Sequence, residues 1–436
     1  MAQDTWRNWA GTHSSTPHRF ETPRSVAELS ALVARATEQG LRVKAVGAGH
    51  SFTGVAVTDG ILVSLDNIAG VESVRTTPEG PIATVLAGTR LRSMNEQLWA
   101  RGLAMINLGD IDVQSIAGAL STGTHGTGAR FGGLATLIRG LQIVLADGSV
   151  VDCSDTENPD LYQAARISLG AIGIITKLDL AVQPAYTMRA VEGPAALDET
   201  LDGLEDDLAN VDHFEFYWFP HTDRVLTKRN TRLPGNTPLE PVGRVRGYID
   251  DELLSNTLFE GINRLTTAFP AAIPQVNQIS ARALSAREFT DRSYRVFASP
   301  RRVRFREMEY AVPQAAVKDT LREISTWLDR SDCRIAFPVE VRFAPADDVW
   351  LSTANGRDSA YIAVHQYHRR DHREYFDAVE AIARSVDGRP HWGKMHGRTA
   401  ADLRPTYARF DDFCTVRDKF DPSRTFDNEY LRQVLG

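Results

Sequence analysis

The sequence predicts an α+β fold in two domains. Three observations lead there. Short strand-like runs mix with helical ones without a strict βαβ rhythm, which disfavours a doubly wound sheet. At 436 residues the chain is too long for one ordinary core. Glycine is frequent from Gly40 to Gly173 and sparse beyond Gly193, where Arg, Asp and aromatics increase. That shift puts a boundary near Pro184, between a domain of residues 1–184 and one of residues 185–436.

The elements follow in order. Ser25 with Glu28 three residues on is a capping-box signature. Val26, Leu29, Leu32, Val33 and Ala36 then recur at helical spacing, and Gly40 stops the helix. Leu41 to Val46 reads as a strand running into a glycine loop, and Ile61 to Leu65 as another after the Asp59-Gly60 turn. Ile82 to Ala87 is a third strand, followed by a helix from Leu91 to Ala100. Leu141 to Ala146, Asp147-Gly148 and Ser149 to Val151 form a hairpin signature. Leu178, Leu180 and Val182 alternate in a late strand. In the second half, Phe214 to Phe219, Val339 to Phe343 and Tyr361 to Tyr367 read as strands and Tyr375 to Ser385 as a helix. Asp421-Pro422 and Tyr430-Leu431 mark a tail that packs back onto the body.

Composition narrows the function classes. Hydrophobic residues make up 42% and charged residues 24%, as in ordinary globular proteins. A formal charge of −7 supplies no basic field for nucleic acid or anionic membrane. The three cysteines, Cys153, Cys333 and Cys414, have no CxxC spacing, which excludes a zinc knuckle or dithiol motif and suits a reducing cytoplasm. The polar start MAQDTWRNWAG has no apolar h-region, so no signal peptide is expected. No run of about 18 apolar residues exists, so no membrane span is expected.

Two glycine-dense stretches carry the first functional signal. Val46 closes a strand into Gly47-Ala48-Gly49-His50-Ser51-Phe52, where backbone N–H groups can approach a pyrophosphate. Phe52 stands where a Rossmann fingerprint needs its third glycine, so on spacing alone this loop is equally a tight turn. The second stretch runs from Gly109-Asp110 through Gln114, Ser115, Gly118, Ser121, Thr122, Gly123, Thr124 and His125 to Gly128. Its small and hydroxyl side chains suit backbone packed against a large flat ligand. Two such stretches in one domain point to a shared cofactor.

Together, VGAGHSF and GDIDVQSIAGALSTGTHGTG resemble the FAD-binding domain of the vanillyl-alcohol oxidase superfamily. The likeness is to its sugar-lactone branch, which includes gulonolactone and arabinonolactone oxidases, bacterial gulonolactone dehydrogenases and alditol oxidases. The resemblance implies a PCMH-type FAD-binding domain followed by a substrate-binding cap. It implies that the first loop holds the FAD pyrophosphate and that His50 bonds covalently to the flavin 8α carbon. Gly173 and Ile175, alone a glycine turn into a strand, would lie along the adenine–ribose side.

The resemblance also gives roles in the second half. Glu340 and Arg342 share one face of an alternating strand, which by itself reads as a solvent-exposed ion pair. Lactone and alditol oxidases carry a Glu-x-Arg pair facing the flavin. Tyr361, Ala363, His365 and Tyr367 share a face of the next strand. His365 is either a substrate contact capable of proton transfer or a structural histidine. A metal set of His365, His368 and His372 is rejected, because Arg369, Arg370 and Arg373 would repel a cation, and no metal is expected. The family carries HWGK at His391 to Lys394, and its lysine reaches the flavin. Ser115 is either a hydrogen-bond donor near the flavin or a helix cap. The C-terminal RxxxDPxxxFxNxYL pattern also matches and places Asn428 near the cofactor domain.

The expected reaction is FAD-dependent oxidation of an aldono-1,4-lactone at the hydroxyl next to the carbonyl. Glu340, Arg342, His365, Lys394 and Ser115 are the expected catalytic set. Electrons would pass to dioxygen or a redox carrier. An alditol oxidase acting on a xylitol- or sorbitol-type polyol is the nearest alternative, and a flavin-binding protein without turnover is another.

Overall fold

The computed structural model describes residues 5–243, 257–298 and 302–436. Within them the chain builds three main sheets and a two-stranded N-terminal ribbon. The first sheet is parallel, with Ile61–Ser64 between Arg19–Glu21 and Val43–Val46. Helix Val26–Glu38 makes the crossover that a parallel pair requires. Its cap differs from the reciprocal box that the sequence predicts. Ser25 Oγ accepts from the Glu28 amide at 3.2 Å, but the Glu28 carboxylate reaches one residue further back, to the Arg24 amide at 2.7 Å.

The second sheet is antiparallel, in the order Val150–Ser154, Ile138–Val144, Ile174–Pro184, Gly80–Leu86, Val71–Thr77. Leu103–Met105 extends it by pairing with the far end of Ile174–Pro184. Leu178, Leu180 and Val182 all point inward, as their alternation demands. The third sheet has eight antiparallel strands, ordered Arg287–Arg292, Tyr186–Ala196, Arg224–Pro234, His213–Trp218, Val339–Ala344, Ser359–Tyr367, Phe305–Pro313, Arg389–Pro390. Helices Val317–Arg330 and Arg373–Ser385 cover one of its faces, where Phe214, Phe216, Val341 and Phe343 share their core. Its other face looks towards the glycine-rich loops. Both faces are therefore buried. Glu340 is 3% exposed and Arg342 8%, so the solvent-exposed reading of this strand does not hold.

Pro184 and Tyr186 mark the step from the second sheet to the third. The cores divide differently. Leu403, Phe410, Phe413, Phe426, Leu431 and Val434 join one cluster with Leu29, Val33, Ile61 and Leu141. The C-terminal segment thus completes the core of the first domain. Asn428 is its anchor: it caps helix Glu429–Leu435, and its Nδ2 lies 3.0 Å from each of the carbonyls of Gly54, Val55 and Val57. Lys44 ties a second point. Its buried ammonium donates to the carbonyls of Gly170 at 3.1 Å and Phe426 at 3.0 Å, while burial drives its pKa down to about 7 against the pull of Asp427 and Asp421.

Replacing Asn428 with Ala removes a cap and strands buried carbonyls. The expected loss is about 2 kcal/mol of unfolding free energy in a urea titration. A loss within a few tenths of a kcal/mol, on the order of a mere surface substitution, would contradict this account of the clasp.

Candidate active site

The strand Val43–Val46 delivers its glycine loop into a cleft of about 1000 Å³ of empty space, partly open to solvent. Val46 to Ser51, Ser115, Gly118, Ser121, Thr122, Gly173 and Ile175 line it. The backbone comes so close here that side chains are excluded. A Cβ on Gly47 would sit 2.1 Å from Ser115 Oγ, and Gly49 has φ +65°, a conformation open to glycine at little cost. A dinucleotide cradle needs this kind of bare backbone, and the residues present fit FAD.

A second cavity, of about 720 Å³, continues from the first through His50, Ser51, Gln114 and Thr122, which line both. Gln114 Oε1 is buried and has no hydrogen-bond partner among the described residues. Around the second cavity stand His50, Phe52, Gly109, Asp110, Thr124, His125, Glu340, Arg342 and Lys394. His50 therefore shares a cavity with the charged strand face.

That face is a set of paired charges. Arg342 Nε lies 3.1 Å from Glu215, and its Nη2 meets Asp110 at 3.3 Å and also Glu340. Tyr217 donates to Glu340 at 3.0 Å, and Lys228 sits 3.3 Å from Glu215. Lys394 pairs with Glu307 at 2.5 Å and lies 5.2 Å over the Phe52 ring. His125 Nε2 meets Glu309 at 2.5 Å, and its Nδ1 donates to the Gly126 carbonyl at 2.9 Å.

The electrostatics follow. Burial raises the carboxyl pKa of Glu307, but the Lys394 ammonium and His365 outweigh it and bring it down to about 2. Burial likewise opposes ionisation of Glu215 and Glu309, and Lys228 with Arg342, and His125, respectively, hold both low. For Arg342, burial favours loss of the proton, yet Glu340, Asp110 and Glu215 raise its pKa well above the ordinary value. His391 is driven down to about 4 by burial, with Glu309 pulling the other way.

Most of the expected residues line one of the two cavities; His365 and Gly123 line neither, and Ser115, expected in the catalytic set, lines the first rather than the second. His365 does not line the cavity; it sits behind it, with Nδ1 donating to the Pro338 carbonyl at 3.1 Å and Nε2 3.5 Å from Glu307. His365 pairs with Glu307 across the strands and shares its face of the sheet, where its ring packs against Phe305 and Phe337. Ser115 lies in the first cavity and caps helix Ile116–Ser121, its Oγ accepting from the Gly118 amide at 3.4 Å. Gly123, at φ +77°, turns the chain between Ile167 and Trp392 outside both linings. Sequence reasoning missed Glu215, Tyr217, Lys228, Glu307 and Glu309. The available signal was alternation: in Phe214-Glu215-Phe216 and Glu307-Met308-Glu309-Tyr310, acids occur at period two within apolar strands.

Comparison with known proteins gives a family. The D-arabinono-1,4-lactone oxidase model matches residues 178–434, and an FAD binding domain model matches residues 17–154. The chain is 42% identical to L-gulono-1,4-lactone dehydrogenase of Mycobacterium tuberculosis over 434 residues, covering 99% of each. It is 33% identical to mouse (Mus musculus) L-gulonolactone oxidase, covering 99% of this chain and 98% of the other. Among solved structures, cholesterol oxidase from Brevibacterium sterolicum matches with a TM-score of 0.82 at 18% identity, over 99% of this chain and 96% of that one. That last likeness speaks for the fold alone.

The depressed Glu307 carboxyl makes a pH prediction. A carboxylate held below its unfolded value contributes stability that is present above the ordinary carboxylate range and lost as pH falls towards 2. Between pH 5 and pH 3, wild type should lose stability relative to Glu307→Gln by up to about 1.4 kcal/mol per pH unit. Denaturant titrations of both proteins across that range check it; parallel curves would refute the pairing.

Proposed function

Since the chain belongs to the D-arabinono-1,4-lactone oxidase family of FAD enzymes, we propose that it oxidises an aldono-1,4-lactone of the gulono, galactono or arabinono type at the hydroxyl next to the lactone carbonyl. One observation carries the assignment of residues: His50, Arg342 and Lys394 line a single cavity that continues the glycine-lined cleft.

On this reading Val46 to Phe52, Gly109-Asp110, the Ser115 to His125 stretch, Gly173 and Ile175 hold FAD, with His50 bonded to it. Bound FAD supplies the two-electron acceptor for the carbinol hydrogen. The chain supplies orientation and charge. Glu215 fixes Arg342 through Nε, and Asp110 and Glu340 fix it through Nη2, which holds the guanidinium charge in place for the substrate oxygens and any negative charge developing there. Glu340, steadied by Tyr217, orients the sugar hydroxyls and takes the hydroxyl proton. Lys394 supplies positive charge to the reduced cofactor, which raises its potential. His365 acts at one remove, through Glu307 and Lys394. Ser115 braces the two glycine loops against each other.

Electrons leave to dioxygen or to a redox carrier. Three free thiols support a reducing cytoplasm as the setting, and among the described residues no helix is long and apolar enough to cross a membrane.

Anaerobic addition of L-gulono-1,4-lactone should bleach the flavin absorbance, and xylitol should not. Bleaching by xylitol alone would move the enzyme to the alditol oxidases, and bleaching by neither would leave a flavin-binding protein. Arg342→Met should keep its yellow colour while kcat/KM falls by about 100-fold or more, on the order of 3 kcal/mol of lost charge stabilisation. An unchanged kcat/KM would remove Arg342 from the site.

A further inference from the structure

The N-terminal segment precedes both matched family models, which begin at residues 17 and 178. It nevertheless lies against the His50 loop. The Trp9 ring stacks on the His50 imidazole with centroids 4.7 Å apart and planes 17° from parallel. Its edges meet Phe52 and Phe305, at 6.1 and 5.3 Å, and it lines the cavity that holds Arg342 and Lys394. The backbone is pinned to the same loop. Trp9 N donates to the Gly49 carbonyl at 2.8 Å, buried Asn8 donates through Nδ2 to the Ser51 carbonyl at 2.9 Å, and Thr12 Oγ1 donates to the Phe52 carbonyl at 3.1 Å. Three residues of the loop on either side of His50, Gly49, Ser51 and Phe52, are thereby fixed by residues 8–12.

A stacked aromatic partner does one specific thing to an imidazole. It occupies the ring face and fixes the ring plane, so the nitrogens remain available only at the edge. A nitrogen that must meet one carbon atom of a bound cofactor benefits from that restriction, because orientation supplied in advance lowers the barrier to bond formation. We propose that Trp9 is a positioning residue for the covalent attachment of FAD to His50. The inference rests on the covalent reading given under the proposed function. In the step itself, the His50 imidazole nitrogen bonds to the flavin 8-methyl carbon. One hydrogen leaves that carbon and one leaves the nitrogen. These two hydrogens, with two electrons, reduce dioxygen to hydrogen peroxide.

Two variants separate ring geometry from packing. Trp9→Phe keeps a flat ring between Phe52 and Phe305, and Trp9→Leu keeps apolar volume without one. Each protein is prepared without flavin, exposed to FAD in air for a fixed time, precipitated with acid and weighed intact. Wild type and Trp9→Phe should carry the adduct mass. Trp9→Leu should carry it at least fivefold less often while still quenching FAD fluorescence and keeping the wild-type circular dichroism. Equal adduct in all three proteins would overturn the proposal, and so would equal loss in Phe and Leu, which marks packing alone. Wild type without any adduct would instead remove covalent attachment at His50, a result visible before either variant is made.

Discussion

Taking the carboxylates of Glu215, Glu307, Glu309 and Glu340 out of water costs several kcal/mol each unless a cation or hydrogen-bond donor meets them. The eight-stranded sheet satisfies this partly by register and partly through loops packed on its face. Glu215 pairs across the strands with Lys228, and its other neighbour is Arg342. Glu307 has Lys394, and Glu309 has His125. The partners come from both domains, since Asp110 and His125 belong to the glycine-rich half. The buried charged face and the glycine loops are therefore mutually dependent. Removing Arg342 takes a cation from Glu215, Asp110 and Glu340 together, removing Lys394 takes one from Glu307, and separating the two halves would break the pairs of Arg342 with Asp110 and of Glu309 with His125.

This dependence explains what the sequence made visible. Val339 to Phe343 alternates so strictly that its two faces can be written down, and the glycine loops announce a bare-backbone contact. Glu307 and Glu309 resisted because an acid in an apolar strand ordinarily faces solvent. Only the sheet order shows that solvent is absent there. The ion pair of Glu309 with His125 spans 184 residues, so no local pattern encodes it. His365 was legible as a residue of the right strand, but its depth comes from Phe305 and Phe337, which are distant in sequence and pack against its ring. The change in glycine density near Pro184 coincides with the step from the second sheet to the third. It does not describe the cores, because helices near the C-terminus carry apolar stripes that look alike whichever domain they complete.

The loop around His50 is held from both directions of the sequence. Asn8, Trp9 and Thr12 grip Gly49 to Phe52, and Asn428 grips Gly54 to Val57. A cofactor loop rich in glycine is intrinsically disordered in its backbone choices, and fixing it needs many hydrogen bonds from outside itself. Here those bonds come from segments that pack on the same core.

The grip of Asn428 on Gly54 spans 374 residues, and it sets an order of events during synthesis. On the ribosome the nucleotide-binding half emerges early, with its apolar sheets lacking the helices of Phe410–Phe420 and Glu429–Leu435. That half stays incompletely buried until residues 410–435 have been made. The loop that Asn428 grips is therefore held in full only after the distant segment that carries Asn428 has docked.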